Sequence, residues 1–74
     1  MEKRDLALEI GRCYLYRPFE IEYDRFSDSF IVILHESWLM SKSVARIMML
    51  GGFISFVAVD KQKIHLIFDA SADL

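Results

Sequence analysis

The sequence predicts one small α+β domain spanning residues 1–74, a two-layer fold in the order α-β-β-α-β-β. Its four-stranded, mainly antiparallel sheet is expected to carry the helices on one face. Three observations lead there. An apolar stripe at helical spacing opens the chain, and short alternating or wholly apolar runs follow a proline. The long apolar run from Ile47 to Val59 is then divided by Gly51-Gly52. Methionine, leucine and alanine dominate before the glycines, and β-branched and aromatic residues after them, the signature of a buried helix that turns into a buried strand. The run resembles a membrane segment, but its 13 residues fall short of the roughly 20 that a spanning helix needs.

Residues 2–14 read as the first helix. Leu6, Ile10, Cys13 and Tyr14 share one face, Glu2 and Asp5 sit at the positive end of the helix dipole, and Arg12 sits at the negative end. Leu6, Leu8 and Ile10 also alternate as a strand would, so residues 5–11 have a rival reading. Pro18 ends either element and pushes Arg17 toward an extended conformation.

Phe19, Ile21 and Tyr23 alternate with Glu20, Glu22 and Asp24, which predicts a strand with one wet face at a sheet edge. Arg25 to Ser29 supply turn residues. Phe30 to Leu34 is apolar on both faces, as a central strand is. The second helix starts near Ser37 or Ser41, either of which can cap it. Met40, Val44, Ile47 and Met48 form its stripe, and Trp38, Ala45 and Met49 widen it until only Lys42, Ser43 and Arg46 remain polar. A helix that is apolar over most of its circumference is expected to be buried on more than one side. Gly51 or Gly52 is the expected left-handed cap. Phe53 to Val59 reads as another central strand, Asp60 to Lys63 as a polar connection, and Ile64 to Phe68 as its hairpin partner. The tail from Ala70 carries no structural signal.

Composition narrows the function classes. Apolar residues make up 54% of the chain and aromatic residues 14%, with three glycines and one proline, which excludes disorder. A domain this small buries only about 60% of its unfolded surface. Such an apolar fraction predicts that something else covers one face, and a second copy of the chain is the economical candidate. Net charge is −2, so the chain has no global basic field of the kind non-specific nucleic-acid binders use. A single cysteine, Cys13, excludes an intrachain disulfide and a zinc finger. The polar amino terminus shows no signal peptide, and a reducing cytoplasm is the expected compartment.

No catalytic, cofactor or metal constellation assembles from the sequence. His35 beside Glu36, and His65 near Asp69, lack ligand spacing, and Cys13 lies apart on an apolar stripe. Neither a dinucleotide fingerprint nor a phosphate loop is present. The expectation is therefore a non-enzymatic protein-binding or regulatory module acting as a homodimer, with Trp38, Met40, Met48 and Met49 at its interface. Tryptophan is a common binding anchor and methionine adapts to partners. The alternative is a small nucleic-acid-binding protein. Arg12 and Arg17 with Lys42 and Arg46 would hold phosphates in that case, and Tyr14 and Tyr16 would stack bases.

Overall fold

The computed structural model describes residues 1–35, 40–60 and 63–72. Trp38, and with it the helix start expected at Ser37, lies outside them. The chain is α+β, with helices α1 (Lys3–Cys13) and α2 (Met40–Met48). Its strands are β1 (Phe19–Asp24), β2 (Ser29–Leu34), β3 (Phe53–Asp60) and β4 (Lys63–Asp69), in the order α1-β1-β2-α2-β3-β4.

Residues 5–11 are helical, and burial shows why. Leu6 and Ile10 are fully buried while Leu8, which a strand would place beside them, is 57% exposed. The 3.6-residue period therefore decides the element. Asp5 stands in the first turn and Arg12 in the last, each matched to the helix dipole.

Strands β1, β2 and β4 form a three-stranded antiparallel ladder. Phe19 stands opposite Leu34 and Leu34 opposite Ile64 at one end, and Tyr23, Phe30 and Phe68 stand in line at the other. Strand β3 runs antiparallel along the far side of β4, with register shifts between Phe53 and Ser55 and between Phe56 and Ala58. The order across the sheet is β1-β2-β4-β3. The expectation that Phe53 to Val59 is central is thus corrected: β4 is the inner strand and β3 the outer one. Alternation in β4 reports that one face is covered, not that the strand lies at an edge. Its Ile64, Leu66 and Phe68 are fully buried, whereas His65, Ile67 and Asp69 are half-buried. Because β4 lies between β2 and β3, the β2–α2–β3 unit is a split β-α-β.

The core joins Leu6, Ile10 and Tyr14 at α1, Val44 and Ile47 of α2, and alternate residues of β2 and β4. Among the described residues no buried side-chain nitrogen or oxygen lacks a hydrogen-bond partner. Nor, among them, is any helix long and apolar enough to cross a membrane.

The second helix departs from expectation in two ways. Ser41 lies inside α2 and is not its N-cap. The helix also fails to bury its broad apolar surface: Val44 and Ile47 are covered, while Ala45, Met48 and Met49 are exposed. The glycine cap is corrected too. The last turn closes through Met49 and Leu50, whose N–H groups reach the carbonyls of Ala45, Arg46 and Ile47. Of the two glycines only Gly52 has positive φ, +91°, and it stands beyond that turn, where the chain swings into β3. Its carbonyl accepts the Asp69 N–H at 2.7 Å, which ties the turn to the end of β4. Ala70 and Ser71 are tied down as well. The Met1 amino group donates to the Ala70 carbonyl at 2.6 Å, and Ser71 caps Asp69 through its hydroxyl and its backbone N–H. Those two bonds from Ser71 hold the Asp69 carboxyl below the ordinary carboxylate range.

Candidate functional site

The end of α1 builds a groove from local backbone geometry. The Tyr16 N–H donates to the Gly11 carbonyl at 2.7 Å, and the Leu15 N–H reaches the Arg12 carbonyl at 3.5 Å. This is a Schellman closure, which ordinarily places glycine at the left-handed position. Here Leu15 and Tyr16 both adopt it, with φ of 56° and 57°. The reversal folds Tyr16 back along the helix, so its ring lies 3.8 Å from where a Cβ on Gly11 would be. Ala7, Leu8, Gly11, Arg12, Tyr16 and Phe19 then enclose an open groove of about 330 Å³. Its floor is apolar, and Arg12 supplies its cation. Arg12 lies 3.5 Å from Glu9 in an exposed pair, a contact of little energetic weight in water.

A second feature sits beyond the other end of β1. The Asp24 carboxylate accepts the Phe26 N–H at 3.0 Å and the Ser27 hydroxyl at 2.9 Å. The Tyr23 hydroxyl donates to Asp28 at 2.7 Å, and the Asp28 carbonyl accepts the Ala70 N–H at 3.1 Å. Bonding to the Asp28 carboxylate favours the neutral phenol, so the Tyr23 pKa lies above its ordinary value. The turn is therefore held from the end of β1 and from the residue that follows β4. At its tip Phe26 is 103% exposed, so its whole ring stands in solvent.

The residues singled out from sequence scatter. Tyr14 is buried in the core, so no face of its ring is open for stacking, while Tyr16, two residues on, is exposed. Arg17 is half-buried and Arg12 faces Glu9. Lys42 and Arg46 are exposed one turn apart on α2. At the far end of α2 Met48 and Met49 are exposed, by 44% and 85%. Met40 begins α2, but its side chain, like Trp38, falls outside the described residues. His65 stands opposite Ile33, and His35, just past the end of β2, lies 3.8 Å from Glu20. Among the described residues no three His, Cys, Asp or Glu side chains gather to hold a metal ion.

The sheet face away from the core is partly apolar. Ile33 stands in line with Glu20 and His65, and Ile31 with Glu22 and Ile67. Phe26, Leu8 and Leu15 were not singled out from sequence. The signal for Phe26 was an aromatic residue in the middle of an otherwise polar turn.

No protein-family model matches the chain, and neither a curated protein nor a solved structure is significantly similar to it.

Proposed function

We propose that this chain is a non-enzymatic protein-binding module that works as a homodimer. Both helices lie on one face of a four-stranded sheet in this reading, in a two-layer domain of the reducing cytoplasm. The observation that carries the proposal is the exposure of large apolar side chains on a chain whose core is already filled. Phe26 is fully exposed, Met49 and Tyr16 are more than four-fifths exposed, and Leu15 and Leu8 are more than half exposed.

These residues do not compensate for a missing core. The accessible surface is 4865 Å², close to the roughly 4700 Å² that size scaling gives a compact monomer of this mass. Association is therefore an addition to a complete fold. Isolated exposed hydrophobes are ordinary, but these lie along the second half of α1 and just past it, at the end of α2 and at one braced turn. Sites of that kind serve as interaction surfaces. The test is the mass of the native chain in solution against concentration. A rise from 8.7 kDa toward twice that value supports the reading, and a constant 8.7 kDa up to about 1 mM removes it.

A further inference from the structure

The structure points to the place where two copies meet: we infer that Phe26 of each copy inserts into the α1 groove of the other. This rests on the homodimer reading and specifies its contact.

The fit has three parts. The first is shape. Phe26 stands fully in solvent on a turn fixed by Asp24, Ser27, Tyr23 and Asp28, so little of the turn needs to be ordered on binding. The groove of about 330 Å³ is lined by Ala7, Leu8, Gly11, Tyr16 and Phe19. Gly11 leaves its floor low, and the Tyr16 and Phe19 rings offer aromatic walls suited to edge-to-face contact.

The second part is charge. Phe26 is flanked by the carboxylates of Asp24 and Asp28, with Arg25 between them, whereas the groove is lined by Arg12, whose guanidinium stays exposed and holds Glu9 only in a weak pair at 3.5 Å. Complementary charge of this kind fixes the orientation of a contact.

The third is symmetry. The groove includes Phe19, the first residue of β1, and Phe26 lies just past the last, Asp24. The two features are thus separated along one edge strand by about 17 Å of chain at the usual rise. A two-fold axis at the middle of β1 exchanges these ends, so both insertions form together and the assembly closes at two copies. The strands themselves do not zip in this arrangement. With Ile21 opposite its own copy, Glu20 falls opposite Glu22, and like charges directly across a ladder repel. Contact is left to the knobs and grooves. Two aromatic insertions bury an area at the low end of specific interfaces, which places the dimer in the weak, reversible class.

The experiment compares native chain, Phe26→Ala and Gly11→Leu by sedimentation equilibrium, with circular dichroism to verify the fold of each. Leu8→Asp, at an exposed groove position, serves as a second groove variant should Gly11→Leu not fold. Each single variant is expected to associate at least about tenfold more weakly than the native chain, the scale of losing a central aromatic anchor. An equimolar mixture of Phe26→Ala with a groove variant then regains part of the association. One chain contributes an intact groove and the other an intact knob, so one of two contacts forms. Three results overturn the inference. One is a native dimer that Phe26→Ala leaves intact, another a mixture no more associated than its components. The third is a dimer broken by Met49→Ser but not by the groove variants. In those cases the homodimer reading survives; a native chain that stays monomeric ends both.

Discussion

Replacing Gly52 with alanine tests how the α2-to-β3 turn is held. At φ +91° an L-residue is strained by about 1–2 kcal/mol. The added Cβ would stand 2.5 Å from the Cβ of Ala72 and 3.2 Å from the Met1 methyl. The methionine can move, but the alanine belongs to the tail that follows β4. Pushing it away loosens the bond from the Asp69 N–H to the Gly52 carbonyl, 2.7 Å long, at about 0.5–1.5 kcal/mol. Together with the steric displacement the cost is about 2–4 kcal/mol, a large part of the 4–11 kcal/mol a domain of this length typically has. Urea denaturation followed by far-ultraviolet circular dichroism measures it, and the melting temperature should fall by more than about 8 °C. Gly51→Ala is the control: that residue is exposed and its φ is not positive, so its cost stays within about 0.5 kcal/mol. Adding Ala72→Gly to Gly52→Ala should recover the steric share and leave the backbone share. If Gly52→Ala costs no more than Gly51→Ala, the reasoning about this turn is refuted.

Three further outcomes follow from the local geometry. Leu15→Gly should stabilise the monomer by about 0.5–1 kcal/mol in urea melts, because a left-handed residue that is 62% exposed gives up strain and little packing; a destabilised variant would contradict the strained closure of α1. The Tyr23 phenol, its pKa raised by the bond to Asp28, contributes stability that is whole below pH 10 and declines as pH rises through its folded value. Alkaline denaturation of Tyr23→Phe should therefore lack that component, and an unchanged profile would remove the role of the bond. Asp69 behaves oppositely. Its lowered pKa gives a contribution present above the ordinary carboxylate value and lost as pH falls below it, which an acid titration of Ser71→Ala reads directly.

Much of the fold is visible in the sequence because periodicity reports faces. Leu6, Ile10 and Tyr14 mark the buried side of α1, and Phe19, Ile21 and Tyr23 mark the core side of an edge strand. Position within the sheet is decided by pairing, which no single strand encodes, so β3, expected to be central, lies outside β4. The candidate site was hidden for a different reason. Arg12 to Arg17 reads as one interleaved basic and aromatic segment, but the Schellman closure splits it, sending Tyr14 inward and Tyr16 outward. Two consecutive left-handed non-glycine residues cannot be anticipated from propensity, since tertiary contacts stabilise them. At α2 the sequence shows a wide apolar surface without showing how much of it one sheet covers. The structure covers Val44 and Ile47 and leaves Met48 and Met49 in solvent.

The central claim is that the uncovered apolar residues join two copies of the chain. Sedimentation equilibrium of the native protein from about 10 µM to 1 mM tests it most directly. The account predicts a weight-average mass that climbs from 8.7 kDa toward twice that value and does not pass it. A mass fixed at 8.7 kDa throughout would contradict it, and a mass rising past the dimer without levelling would contradict the closed two-fold contact.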